Sequence, residues 1–230
     1  MIYENIQEVL NNIEIACRRS KRDPKEVTLI AVSKTKPLSD IEEAIDCGMT
    51  EFGENKVQEL VGKIEDVSRP VQWHLIGHLQ TNKMKYIVDK DLLIHSVDSV
   101  KLAKEIQKEA LKKQVHCNIL LEVNVAKEES KFGFDCDQVL DAVLEISTMS
   151  NVHIQGLMTI APFVENPEEN RDVFAKLHNL LLDIKQRNID NVNMSVLSMG
   201  MTNDYMVAIE EGATMVRVGT GIFGTRNYNI

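Results

Sequence analysis

No stretch of this chain approaches the roughly 20 consecutive apolar residues that a membrane helix needs, so no membrane-spanning segment is expected. No basic-then-apolar segment opens the sequence between Met1 and Leu10. A secretory leader is therefore not expected, and a cytoplasmic protein is. Cysteine is scarce. Cys17, Cys47, Cys117 and Cys136 form no C-x-x-C pair, and their spacing suits neither a disulfide framework nor zinc. Reduced thiols are the expectation. Positive charge is in deficit: 26 Lys and Arg stand against 35 Asp and Glu, a formal charge of −9. That argues against nucleic acid as a partner, because a phosphate backbone demands a basic face. Linkers rich in proline, glycine or serine, sequence repeats and low-complexity stretches are all missing, so residues 1–230 read as a single domain.

What is present is an ordinary globular composition, 43% hydrophobic and 27% charged, and a nearly unbroken alternation of strand and helix patterns. A first helix spans 3–19, with Ile6, Val9, Leu10, Ile13 and Ala16 on one face. Strands are expected at 28–34 (TLIAVSK), 51–53, 71–76 (VQWHLI), 92–97, 118–124 (NILLEVN), 153–158, 193–198 and 214–218. Seven helices fall between them. Ser39 and Glu42 form a capping-box signature for the first of these and Gly48 closes it, while Asp98 is the expected cap of the helix after the fourth strand. A helix is also expected over 81–88, another from near Asp135, a strong one through Phe174, Leu177, Leu181 and Ile184, and one over 203–211. Alternation of this kind means a parallel sheet. Eight units in a chain of this length fit a closed (β/α)8 TIM barrel with an extra N-terminal helix more readily than an open doubly wound sheet.

Such a barrel binds ligands where its strands end. The last two strands run into Ser198-Met199-Gly200-Met201-Thr202 and Arg217-Val218-Gly219-Thr220-Gly221. Loops at these places are the common phosphate site of the fold. Glycines there let backbone amides approach an anion, and Ser198, Thr202 and Thr220 add hydroxyls. The plainer alternative is that the glycines serve only tight turns. Lys34 ends the first strand, where the interior begins to open. At pH 7 about one free lysine in 2,500 is neutral, and partial burial raises that fraction and frees the amine for Schiff-base chemistry. The alternative is an ion-paired or snorkelling lysine. A lysine on one side of the mouth and a phosphate cradle on the other suggest a phosphorylated aldehyde, with pyridoxal 5′-phosphate (PLP) the obvious candidate.

The segments AVSKTKP (31–37), FGENKVQE (52–59), WHLIGHLQTNK (73–83), GLMTI (156–160), LSMGMTND (197–204) and VRVGTGIFGTR (216–226) resemble those of the PLP homeostasis proteins, a family that is itself similar to the N-terminal barrel of alanine racemase. The resemblance implies an aldimine on Lys34, a phosphate held by Ser198, Gly200, Gly219 and Thr220, Arg217 facing the pyridine nitrogen, and Asn55 in the ring pocket, with His78 and Met158 as neighbours. It implies a carrier or buffer of PLP in the cell, with PLP-dependent apoenzymes as recipients, rather than an enzyme. Arg217 cannot serve as the carboxylate partner that makes a pyridine ring a good electron sink. The barrel also consumes the chain, with nine residues after Gly221, so no second domain supplies a second base and a monomer is expected. An amino-acid racemase that uses PLP is the main alternative, and a Schiff-base aldolase without PLP the next. Of the tyrosines, Tyr205 stands closest in sequence to the expected mouth.

Other signals carry less. His74 and His78 lack the glutamate of a helical zinc motif, so no metal is expected. Lys56, Lys63, Lys83 and Lys85 read as solvated charge, and Met199, Met201 and Met206 as core. The polar segment 128–133 after the fifth strand is a candidate lid.

Overall fold

The computed structural model describes residues 1–224; Tyr228 and the rest of the tail lie outside the described residues. Eight parallel strands close into a barrel in sequence order: β1 (Thr28–Val32), β2 (Glu51–Glu54), β3 (Gln72–Leu75), β4 (Leu92–Val97), β5 (Cys117–Glu122), β6 (Val152–Met158), β7 (Val192–Met201) and β8 (Met215–Val218). β1 pairs with β8, Thr28 opposite Met215 and Ala31 opposite Val218, which seals the ring. The barrel expectation therefore holds over the open sheet.

The helices are α1 (Ile2–Arg19), α2 (Leu38–Asp46), α3 (Val57–Asp66), α4 (Val100–Lys113), α5 (Val139–Ser147), α6 (Arg171–Lys185), α7 (Tyr205–Glu210) and α8 (Thr220–Phe223). The last has only four residues and cannot cover β8. α1 takes its place in the outer ring, packed against α7, α8 and α2. Asn5 Nδ2 donates to Ile222 O at 2.8 Å, and Asn12 Nδ2 donates to Tyr205 Oη at 3.0 Å. The apolar face of α1 (Ile6, Val9, Ile13, Ala16) joins Leu29, Phe52, Trp73 and Leu75 in the core between barrel and helices. Each such side chain contributes about 1.5–3 kcal/mol on burial. Inside the barrel a second, smaller cluster of Leu93, Leu120 and Met158 fills the middle.

Several local expectations change. Pro37, with φ −68°, is the N-cap of α2 and makes no side-chain cap bond. The helix thus starts two residues too early for Ser39 to cap it. Ser99, not Asp98, caps α4, accepting from Leu102 N at 3.2 Å, because Asp98 is turned to His78 Nδ1 at 3.1 Å. The segment Thr81–Tyr86 is a 3₁₀ helix. β1 stops at Val32, and Thr35 takes a left-handed φ of 63°. β7 runs three residues further than expected, to Met201, with a register shift between Ser198 and Met201 against β8. Gly200, at φ 93°, supplies that bulge. A Cβ there would lie 2.6 Å from Ala208 Cβ and 2.9 Å from Tyr205 Cα.

Candidate functional site

The carboxyl ends of the strands surround a cavity of about 770 Å³, within the range that holds a cofactor-sized molecule. Its walls come from Lys34 and Lys36 after β1, Asn55 after β2, Gly77 and His78 after β3, Phe163 after β6, Met201, Thr202 and Asn203 at the end of β7, and Arg217, Gly219 and Thr220 from β8 onward. A smaller cavity, about 350 Å³, lies at the opposite end among Arg22, His178 and Gly212.

Lys34 occupies a tight turn two residues past β1 and is half-buried. The turn is braced from behind. Ser33 Oγ donates to Glu54 Oε1 at 2.5 Å, and Lys63 Nζ donates to Ser33 O, Glu54 Oε1 and Glu59 Oε1 at 2.7–2.8 Å. Thr35 N also reaches Glu59 Oε1, at 2.5 Å. Burial pushes the Glu54 carboxyl above its ordinary range, against the pull of Lys63 and Ser33. Its second oxygen finds no partner among the described residues. Lys63 is therefore not the solvated charge that the sequence suggests; it is buried and fixes the Lys34 turn to α3. Lys56 and Lys85 are exposed as expected.

Gly77 brings the loop after β3 against that after β2: a Cβ would sit 2.5 Å from Asn55 O and 2.7 Å from Asn55 Cα. Asn55 is thereby held at the cavity wall. Lys36 Nζ donates to Phe223 O at 2.9 Å, which ties the first loop to its neighbour α8 at the rim where β1 and β8 pair.

On the β7 and β8 side the two loops are stitched together. Thr220 Oγ1 donates to Thr202 Oγ1 at 3.2 Å, and Gly221 N to the same oxygen at 3.4 Å. The expected phosphate residues do not all come together here. Gly219 and Thr220 line the cavity, whereas Ser198 and Gly200 are not among its lining residues. Ser198 is fully buried, one layer down in the barrel, with its oxygen taken by Arg217 and His95. Gly200 faces α7. From this strand Thr202 and Asn203 reach the cavity instead.

Arg217 does reach the cavity while its guanidinium is buried, donating to Ser198 Oγ and to Thr159 O at 2.8 Å. Burial draws it down to about 10, against the pull of Glu122 and Asp204. Glu122, at the end of β5, was not singled out from the sequence. Burial, with Asp98 adding, lifts its carboxyl to about 7, and Arg217 opposes this. The only sequence signal for it was a carboxylate closing an apolar strand. Met158 is fully buried in the barrel interior.

Tyr205 turns its hydroxyl outward to Asn12, and burial raises it above its ordinary range. His74 lies inside the barrel rather than beside His78, and no group of three or more metal-ligating side chains exists among the described residues. The segment 128–133 does border the mouth: Phe132 stacks on His78 at 3.7 Å and 12°, and Lys131 Nζ donates to Ala161 O at 3.1 Å. Met201 is 39% exposed rather than core.

The arrangement offers one half-buried amine, a second cation in Lys36, two hydroxyls, loop amides and a buried guanidinium around one space. Those groups fit a small anionic carbonyl compound. They would receive its anion on the β7 and β8 side and its carbonyl at Lys34.

The model of the alanine racemase N-terminal domain family matches residues 5–227. The pyridoxal phosphate homeostasis protein of Aquifex aeolicus is 44% identical over 226 residues, covering 98% of each chain. That of Escherichia coli K12 is 34% identical over 232 residues, covering 99% of this chain and 98% of its own. PipY of Synechococcus elongatus, solved with PLP bound, superposes with a TM-score of 0.83 at 34% identity, over 97% of this chain and all of that one. Alanine racemase of Clostridium difficile, 12% identical with a TM-score of 0.75, covers 98% of this chain with 58% of its own and shares the fold. None of the full-length curated relatives named here is called an enzyme. With its barrel, its basic mouth and its full-length likeness to these proteins, the chain belongs to the pyridoxal phosphate homeostasis protein family, built on the alanine racemase N-terminal domain.

Proposed function

We propose that this protein binds PLP through Lys34 and serves intracellular PLP homeostasis as a carrier or buffer, without catalytic turnover of its own. Bound there, PLP supplies a carbonyl that condenses reversibly with an amine. The observation that carries the reading is that Lys34 and the Thr202, Gly219 and Thr220 loops share one cavity, in a chain whose full-length relative PipY was solved with PLP. Lys34 gives the amine. Gly219 and Thr220, with Thr202 beside them, take the phosphate. Asn55 lines the ring, and Arg217 meets its nitrogen as a donor. Ser198 and Gly200 belong to the same site by support: Ser198 holds Arg217, and Gly200 shapes the strand end that presents Thr202.

The reading places residues 1–230 in one PLP-binding domain, a cytoplasmic monomer that hands PLP to apoenzymes. Among the described residues no helix is long and apolar enough to cross a membrane. The racemase alternative needs a second base opposite Lys34. No described tyrosine lines the cavity, and Tyr205 is committed to α1, which favours the carrier.

The test is the visible spectrum of the purified protein before and after Lys34→Ala, with borohydride reduction and peptide mapping. A yellow protein that loses its colour in the variant and carries the pyridoxyl label on Lys34 is expected. A label elsewhere overturns the site, and brisk Lys34-dependent racemisation of alanine overturns the carrier.

A further inference from the structure

An unbroken row of hydrogen bonds crosses the barrel interior. Glu51 Oε2 meets His74 Nε2 at 2.7 Å, His74 Nδ1 meets His95 Nε2 at 2.9 Å, and His95 Nδ1 meets Ser198 Oγ at 2.9 Å. Arg217 Nη1 then donates to the same Ser198 oxygen. Glu51 opens β2 at the amino-terminal end of the strands, its side chain 28% exposed. Arg217 is at the floor of the cavity at the other end. His74, His95 and Ser198 between them are buried.

The chemistry of the two ends fixes the direction of everything between. A guanidinium only donates and a carboxylate only accepts. Ser198 accepts from Arg217 and gives its one proton to His95 Nδ1. His95 must then carry its own proton on Nε2 and donate to His74 Nδ1. His74 in turn carries its proton on Nε2 and donates to Glu51. Both imidazoles are neutral in this scheme, and every polar atom in the row is matched. The reverse order requires a cationic His74 or a protonated Glu51. It also leaves the Ser198 proton without an acceptor in the row. Burial, with His74 and Arg217 adding, holds His95 well below its ordinary value, which agrees with a neutral ring. The other charges near Arg217 are Glu122 on β5 and Asp204 at the start of α7, with Asp98 after β4 acting on Glu122.

We propose that Glu51, His74, His95 and Ser198 are positioning residues, a one-way hydrogen-bond relay that ends on Glu51 and holds Arg217 as a fixed cationic donor at the cavity floor. A ring nitrogen brought against Arg217 meets a donor whose own contacts leave it no freedom to turn away. That consequence rests on the reading of the cavity as a PLP site; the relay itself does not.

The test uses full-length protein with ¹⁵N-labelled histidine and long-range ¹H–¹⁵N correlation spectra at neutral pH, taken before and after addition of PLP. In the protein without PLP, His74 and His95 are expected as neutral rings protonated on Nε2. Glu51→Gln keeps an accepting oxygen and leaves both tautomers unchanged. Glu51→Lys replaces the accepting carboxylate with a donor and breaks the bond to His74 at that end, while the Ser198 end keeps His95 protonated on Nε2. The rate of PLP loss, followed by absorbance, rises at least about threefold in Glu51→Lys and stays within about twofold in Glu51→Gln, as expected for one weakened hydrogen bond. A cationic or Nδ1-protonated His95 in the unsubstituted protein overturns the relay, and that spectrum decides even if Glu51→Lys fails to fold. A reversed His95 tautomer in a folded Glu51→Lys overturns the direction set at the Ser198 end as well. An unchanged rate of PLP loss in a folded Glu51→Lys overturns its coupling to the cavity. Failure of the Lys34 assignment leaves the arms without PLP intact, so the two failures are distinguishable.

Discussion

Glu122→Gln tests the electrostatics beneath the cavity. The carboxyl of Glu122 is buried beside Leu120 and Arg217, and its ionisation moves from an ordinary 4.5 to about 7. Between those values the folded chain keeps a proton that the unfolded chain has released. The folded state therefore binds more protons across this window, and stability must fall as pH rises through it, levelling off above about 7. At about 1.4 kcal/mol per pH unit the full fall is about 3 kcal/mol. His95 acts in the opposite sense, since a buried neutral ring costs stability as pH drops through its ordinary value of 6.5. Comparing the native protein with Glu122→Gln cancels that contribution, because His95 is present in both. The amide has the shape of the carboxyl and no charge to gain. Urea unfolding of both proteins, without added PLP, at several pH values from 4.5 to 8 gives the difference curve. The variant is expected to gain on the native protein by about 3 kcal/mol between the ends of the range. A flat difference would mean that Glu122 ionises normally and that Arg217 does not sit over a protonated carboxyl.

Two further outcomes follow from the same geometry. Lys63→Met strands the fully buried Glu54 carboxyl and removes three bonds behind the Lys34 turn; urea unfolding at neutral pH should show a loss of about 3–5 kcal/mol, and a loss below about 1 kcal/mol would return Lys63 to the solvated surface. Replacing Thr202 and Thr220 together by valine removes two hydroxyls from a half-exposed edge; PLP retention should weaken by about tenfold or more, with unfolding free energy changed by less than about 1 kcal/mol. A larger effect on stability than on retention would restore these residues to a purely turn-forming role.

The barrel was legible in the sequence because its signals are local and repeated. Short β-branched runs such as TLIAV alternate with helical stripes such as Phe174, Leu177, Leu181 and Ile184, and every one of the eight strands was found within a few residues. What was missed depends on neighbours. Ser39 and Glu42 have capping-box spacing, but Pro37 starts the helix before them. Lys63 looks like any lysine on an amphipathic helix, and only the approach of α3 to Glu54 buries it. α1 gave a helical pattern with no hint of its place. It fills the ring because α8 is too short to do so, a fact set by the fold as a whole.

The site was legible as a pair of opposed chemistries and not as a depth. Ser198 and Thr202 are both small hydroxyl residues on the same strand end, four apart, so composition and spacing rank them equally as anion donors. Which of them meets a ligand depends on how far up the barrel each one lies. That height is set by pairing: Ser198 stands opposite Met158 of β6 and Met215 of β8, within the layer where the interior is still closed, and the bulge at Gly200 lifts the following residues to the rim. Strand stagger is a property of the closed sheet, invisible in any one segment. The same stagger accounts for the buried row beneath the cavity. Glu51, His74, His95 and Ser198 come from four different strands and share no motif. Each is an inward-facing position in a barrel whose interior would otherwise be filled by residues like Leu93 and Leu120. Polar groups in such a place are costly unless matched along their whole length. A complete row, running from a carboxylate at one end to the guanidinium at the other, matches each of these buried groups and fixes the Ser198 oxygen against which Arg217 is held at the cavity floor.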